Sequence, residues 1–568
     1  MDLVKVGQSY VEKIVTDTGI KVLLLDDTTS SIISLVSTQS ELLNHQVYLI
    51  DKLENENRDT IKQLDCVCFL SVSEATINLL VEELGAPKYK SYKLYFNNVV
   101  PNSFLERLAE RDDLEMVDKV MELFLDYDIL NKNLFSFKQL NIFNSIDAWN
   151  QQQFLVTLAS LKSLCFSLQT NPIIRYESNS RMCTKLASDL SYEFGQSSKI
   201  MEKFPVNDIP PVLLILDRKN DPITPLLNPW TYQSMVHELL GIFNNTVDLT
   251  GTPSDLPPDL IKLVLNPSQD PFYAQSLYLN FGDLSDSIKT YVNEYKEKTV
   301  KHNSNELTDL NDMKHFLESF PEFKKLSNNI SKHMGLITEL DRKINENHLW
   351  QVSELEQSIA VNDNHNADFQ ELEKLLTSQE FKIANNLKVK LVCLYAIRYE
   401  LHPNNQLPKL LSILLQQGVP EFEINTVNRM LKYSGNTKRL NDDSESSIFN
   451  QATNNLLQGF KQSHENDNIY MQHIPRLERV ISKLVKNKLP TAHYPTLIND
   501  FLKKQRTVSD LNGARLQDII IFFVGGVTYE EARIINNFNM VNKSTRIVIG
   551  GTTVHNTNSF MTQVLELE

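Results

Sequence analysis

VLLILDRKNDPITPLLNPWTYQSMVHELLGI, residues 212–242, decides how the rest of the chain is read. It opens on an unbroken apolar run of the length and composition of a strand buried on both faces of a parallel sheet. The run ends at Asp217-Arg218, and Asp221-Pro222, Pro225 and Pro229 then hold the chain in a stiff, extended turn. Thr231 stands where a hydroxyl can cap the helix that follows, and Gly241 stands where that helix can end. Arg218, with aspartates at 217 and 221, predicts an internal charge network that fixes the loop between strand and helix. Asp217, Arg218, Asp221 and Pro222 form the structural signature of the block.

Outward from this block, strand-like runs of the same kind recur. Before it lie KVLLLD (21–26), VYLID (47–51), CVCFL (66–70) and YKLYFNNVV (92–100), with helix-like stretches at 38–44 and 74–84 between them. Short apolar strands alternating with helices predict an open, doubly wound α/β unit over residues 1–130. A helix from about Gln152 to Leu168 and the run PIIRYE begin a second α/β set. The runs DIIIFFVGG and RIVIGGT return only after residue 517, and isolated strands cannot stand alone. They are therefore assigned to one discontinuous α/β unit, 131–250 with 471–568, carrying 251–470 as a mainly helical insertion.

Within that insertion Phe323, Leu326, Ile330, Met334, Ile337, Leu340 and Ile344 step by three or four, the seam of a helix packed on another helix. Leu307, Leu310, Met313 and Leu317 mark a helix before it. Pro321 lies between the two and is expected to end the first, giving a protruding hairpin near 307–346. Residues 434–447 are polar and poor in apolar side chains.

Composition narrows the function. With 568 residues the chain exceeds one core, and a formal charge of −15 opposes a broad nucleic-acid surface. Five cysteines contain no C-x-x-C pair, which points to a reduced, intracellular protein without a zinc ribbon. Cys66 and Cys68 are expected on opposite faces of their strand. The longest apolar stretch, Ile519–Gly526, is far too short to span a bilayer, so membrane association is expected through a partner.

The catalytic motifs are incomplete. His237-Glu238-Leu239-Leu240-Gly241 has glycine where a zinc protease needs its second histidine, and reads as a capped helix end. Gly525-Gly526 and Gly550-Gly551 follow buried strands but continue into no phosphate-binding motif. No G-x-S-x-G elbow is present. No cofactor or metal is called for.

The 212–242 block, with its LDR–DP–PLL–TYQ–HELLGI arrangement, resembles the signature of the SM (Sec/Munc-like) family of SNARE regulators. FFVGGVTYEEARIINNFN (522–539) and RIVIGGTTV (546–554) resemble the same family's ending. KVLLLD, TQSELL and LERLAERDDLE are similar to its Golgi–endosomal, vacuolar-sorting branch. The resemblance covers the whole chain, with 434–449 matched least.

It implies an arch of three domains: two doubly wound parallel-sheet α/β domains and the helical insertion. It implies a non-enzymatic, monomeric protein that binds a syntaxin-type SNARE and promotes SNARE complex assembly, peripheral to Golgi and endosomal membranes through that partner. It implies three surfaces. The first is an apolar pocket on the outer face of the first domain for the syntaxin's N-terminal peptide. That pocket comprises Leu105, Leu108 and Ala109 on one helix, with Val117 and Val120 expected on the next. The second is the hairpin, with a hinge-like Pro321 and with Leu326, Ile330, Ile337 and Leu340 offered to SNARE helices. The third is an inner cleft holding Asp51 and the loop after Asp26, where TTSSIIS carries none of the basic groups of several relatives. The alternative from another class is a nucleotide-binding α/β enzyme using the Gly525–Gly526 turn.

Overall fold

Lys21–Leu25 forms a strand whose five residues are all buried, as its unbroken apolar run requires. Leu23 and Leu25 enter one core while Val22 and Leu24 enter another on the opposite side, the two-residue alternation of a strand covered on both faces. The computed structural model describes residues 1–16, 19–205, 207–252, 261–304, 310–362, 364–378, 382–440, 468–505 and 516–567.

Five parallel strands build the first sheet, in the spatial order Val47–Lys52, Lys21–Leu25, Asp65–Leu70, Tyr92–Phe96, Val117–Glu122. Two expectations are corrected here. Cys66 and Cys68 share a face, since residues two apart in a strand project the same way, and their thiols lie 3.6 Å apart. Val117 and Val120 lie on the edge strand Val117–Glu122 and not on a helix. β-Branched residues favour the extended chain, and the open edge beside Tyr92–Phe96 supplies the hydrogen bonds.

The second sheet has seven strands, ordered Thr496–Leu497, Ile173–Tyr176, Val212–Asp217, Asp518–Val524, Arg546–Gly551, Leu134–Ser136, Asp128–Asn131. The strand at 212 pairs in parallel with the strand at 518 across the whole helical insertion. One apolar core runs from the front of the first sheet into the second. A separate core gathers the helical residues, and it includes Tyr232, Met235 and Val236 together with Phe560 and Val564. The helices Tyr232–Leu239 and Thr557–Leu565 thus bury their apolar faces in the helical body, although the sequence reading places both in the central unit.

The hairpin is also redrawn. A single helix, Leu310–Glu346, runs through Pro321, and its antiparallel companion is Phe281–Ser304; residues 305–309 lie outside the described residues. A proline inside a helix removes one ladder hydrogen bond and costs roughly 3 kcal/mol. Breaking the helix would leave four amides and four carbonyls to be satisfied anew. Continuation is the lesser cost.

Lys138 ties the three parts together. Its ammonium meets Ser31 of the first unit, Asp128 of the second and Asn244 of the segment leading into the insertion. Asn266 adds a second tie, from its side-chain amide to the Leu35 carbonyl at 3.3 Å.

Candidate functional site

The outer face of the first unit carries the helix Asn102–Arg111, which is pinned to the neighbouring Glu74–Gly85 helix. Arg107 binds Glu74 at 2.6 Å, and Arg111 lies so close over Gly85 that a Cβ there would meet its guanidinium at 2.2 Å. Leu108 is 4% exposed and belongs to the core between this helix and the sheet. Leu105 is half-buried at the edge of that core, and Ala109 is exposed. The turn that follows is held by Asp112, whose carboxylate accepts the Met116 and Val117 amides at 2.8 and 3.0 Å.

The edge strand then brings Val117 and Val120 to the same side. Residues three apart in a regular strand point oppositely, but the register slips between Tyr92 and Lys93, so Val117 stands level with Tyr92 and Val120 with Leu94. Tyr92 and Leu94 both enter the core beneath the helix. Val117 is half-buried and Val120 is 48% exposed. The outcome is an apolar ledge with Leu105, Ala109, Val117 and Val120 near solvent and Leu108 beneath it as core. Leu114, exposed in the turn between helix and strand, was absent from the expected set; an apolar residue in a polar turn is the signal that marks it. Met121, also exposed, stands level with Tyr95 and belongs to the other side of the sheet.

On the helical body, Ile330, Leu340 and Ile344 are buried, Ile337 is half-buried, and Met334 is half-exposed. Ile330 and Leu340, expected to be offered to SNARE helices, are thus turned inward, Leu340 into the helical core, where an apolar side chain leaves water. The side chains of Pro321 and Leu326 lie outside the described residues. The root of this helix is fixed by His333, whose Nε2 lies 2.8 Å from Asp270 and whose Nδ1 lies 2.8 Å from the Tyr232 hydroxyl. Burial pushes the Asp270 pKa up, but His333 and Lys332 outweigh it and hold that carboxyl well below the ordinary range. Tyr232 comes from the 212–242 block, so the block reaches the hairpin directly.

The same block is anchored twice more. Arg218 is fully buried; it donates to the Gly526 carbonyl at 3.0 Å and the Asp221 carbonyl at 3.1 Å, and pairs with Glu531. The expected network exists: Glu531 is the ion-pair partner of Arg218, and the nearby guanidinium also holds the Asp221 carboxyl below its ordinary range against the effect of burial. Asp217 accepts from Ser180 and the Lys219 amide, and Asp221 from Thr224 and the Arg476 amide. Glu531 was legible as the fourth residue of a Thr-x-x-Glu cap opening at Thr528, yet nothing local connects it to Arg218. Farther along, the Asn228 amide donates to Glu356, itself paired with Lys390, all inside the helical body. Thr231 sits at its helix start, although its hydroxyl bonds Ser234 at 3.0 Å and Glu530 in place of a backbone amide.

Asp51 lies on the edge strand Val47–Lys52, its carboxylate accepting from the Lys52 amide and Asn55. The expected loop after Asp26 is a helix, Asp27–Val36. Asp26 and Thr29 form a reciprocal cap that starts it, and Ile32 and Ile33 bury its inner face.

The sites that could suggest catalysis are filled by side chains. Gly525 and Gly526 have φ of +88° and +92°, and a Cβ on Gly526 would lie 2.3 Å from His555, while one on Gly525 would lie 3.0 Å from Arg218. The glycines serve close packing at the place a phosphate would need. His237 is half-buried as a residue, but its ring is shut away from water, which lowers its pKa to about 4, and the ring stands edge-on to Tyr529. Gly241, at φ +82°, closes that helix by donating to Val236. No group of three or more metal-ligating side chains is found among the described residues. No described helix is long and apolar enough to cross a membrane.

A model of the Sec1 family matches residues 21–563. The chain is 39% identical to vacuolar protein sorting-associated protein 45 of Saccharomyces cerevisiae, over 99% of each chain. It is 39% identical to the protein of that name from Schizosaccharomyces pombe, over 100% of this chain and 99% of the relative. Among solved structures it is similar to the SM protein Vps45 in complex with the Qa SNARE Tlg2, with a TM-score of 0.89 and 40% identity over 99% of this chain and 98% of that one.

Proposed function

We propose, from the premise that this chain belongs to the Sec1 family, that it binds a syntaxin-type SNARE and promotes SNARE complex assembly in vesicle fusion. The observation that carries this reading is the full-length likeness, at 40% identity, to an SM protein solved with a Qa SNARE. Relatives named for vacuolar protein sorting support a place in Golgi–endosome–vacuole transport. The protein acts in the cytoplasm, reaches these membranes through its partner, and turns over no substrate.

In this reading the ledge of Leu105, Ala109, Val117 and Val120 receives an apolar side chain of the syntaxin's N-terminal peptide, with Leu108 supporting it from below. The hairpin, held from within by Ile330 and Leu340, offers a helical surface with Ile337 and Met334 on which SNARE segments pair. Holding those segments together lowers the ordering entropy that free, disordered chains must lose before they coil. Asp51 belongs to the cleft between the first unit and the helical body. The 212–242 block, anchored in the central unit by Arg218 and in the helical body by Asn228 and Tyr232, couples central sheet to hairpin.

The test sets synthetic N-terminal peptides of syntaxins from each compartment against nucleotides, in thermal-shift and calorimetric titrations of the purified chain. One cognate peptide is expected to bind and stabilise. A shift with nucleotide alone would instead favour the enzyme reading.

A further inference from the structure

The helix Arg476–Val485 sits on the central unit, just before the edge strand Thr496–Leu497. Leu477, Val480, Ile481 and Leu484 are buried in the sheet core. Arg476, Arg479, Lys483 and Lys486 step by three, four and three residues, so they share a stripe along the flank of the buried face. Arg476 turns inward to Glu177 and the Tyr494 hydroxyl. Arg479 is exposed, Lys483 and Lys486 are half-exposed, and exposed Lys488 extends the row past the helix end. The loop beyond is locked from beneath by Arg175, which donates to the carbonyls of Leu489 and Tyr494 at 2.9 Å. From 476 to 503 the sequence has six Lys or Arg against two acids, in a chain of formal charge −15.

We propose that this basic stripe is a docking surface for an anionic bilayer, taking the headgroups of acidic lipids. Charge complementarity favours that occupant. An acidic protein is repelled by an anionic membrane on most approaches, and screening within about 8–10 Å lets the surface sense only the side turned towards it. The stripe is therefore a side that can approach, and it would orient the molecule as well as hold it. A rigid helix on a sheet keeps the charges in one row, as a flat surface of diffuse charge requires. Contact through the stripe adds to that made through the SNARE partner and requires no insertion into the hydrocarbon.

The test is co-sedimentation of the full chain with neutral phosphatidylcholine vesicles and with vesicles containing about 30% phosphatidylserine, at about 0.1 M and about 0.5 M salt. Binding to the acidic vesicles alone, lost at high salt, is expected. Replacing Lys483, Lys486 and Lys488 together by glutamine should weaken it on the order of a hundredfold, roughly fivefold for each charge. The melting temperature of that variant should be unchanged. Equal binding to neutral vesicles, indifference to the triple replacement, or equal capture of polyglutamate or inorganic phosphate would each overturn the proposal.

Discussion

Leu105 and Leu108 differ by a single helical turn and have opposite fates, which makes them a test of the ledge. Leu105 is half-buried at its edge, so Leu105→Arg can place its charge in water and should change stability by no more than about 1 kcal/mol. The same change should weaken binding of the cognate N-terminal peptide more than about tenfold, the equivalent of about 1.4 kcal/mol, in a calorimetric titration. Parent-like peptide affinity in a folded Leu105→Arg protein would remove Leu105 from the site. Leu108 is core, and Leu108→Ala should cost about 2–5 kcal/mol of stability through the cavity it leaves. The fully buried pair Arg218–Glu531 offers a second residue-scale test. Glu531→Gln removes the ion-pair partner of a buried guanidinium that keeps two carbonyl acceptors and should cost about 3 kcal/mol, read as a lower urea midpoint at unchanged slope. A midpoint within error of the parent's would show that the pair contributes nothing.

At the scale of elements, the decisive features are a slipped register and an uninterrupted helix. The slip between Tyr92 and Lys93 turns two valines of an edge strand to one side, which makes a ledge of what a regular strand would scatter. The Leu310–Glu346 helix carries Pro321 in its interior, so Pro321→Ala cannot create a helix that is already continuous. It should restore one ladder bond and add up to about 3 kcal/mol of local helix stability, visible as slower amide exchange around position 321. If templating uses this helix, the rate of reconstituted SNARE assembly should change with it. An unchanged rate, with slowed exchange confirmed, would leave the helix a packing role only.

Across the whole molecule, buried ionisable groups set the response to acid. Burial lowers the pKa of His237 to about 4, and burial with Arg218 nearby lowers that of His555 to about 3, whereas an unfolded histidine titrates near 6.5. The unfolded chain therefore takes these protons first. The stability the two groups contribute is complete above about pH 6.5 and is lost as pH falls towards their folded values, at up to about 1.4 kcal/mol per pH unit each. Asp126 and Asp217, raised by burial to about 6, act in the opposite sense below that pH, because the folded chain protonates them first. Replacing His555 by glutamine should flatten the fall of stability between about pH 6.5 and 5 by about one proton, in urea titrations at several pH values. A slope equal to the parent's would mean that His555 is protonated in the folded protein.

The sequence by itself determined the element types, the return of the central sheet after the helical insertion, and the family, because these follow from runs of apolar residues and from motifs continuous along the chain. KVLLL, VLLIL and DIIIFFV are short apolar runs, and their length and the polar or glycine residues that flank them favour buried strands over helices. Tertiary structure alone decided that Arg218 answers to Glu531, that Val117 and Val120 leave a strand on one side, that Leu108 is core, and that the helices at 232 and 557 join the helical body. Each of these depends on which surfaces meet across the chain, from neighbours tens of residues apart for Val117, Val120 and Leu108 to 313 residues apart for Arg218 and Glu531. The free energy of burying a charge or an apolar face is set by that neighbour, wherever in the chain it lies.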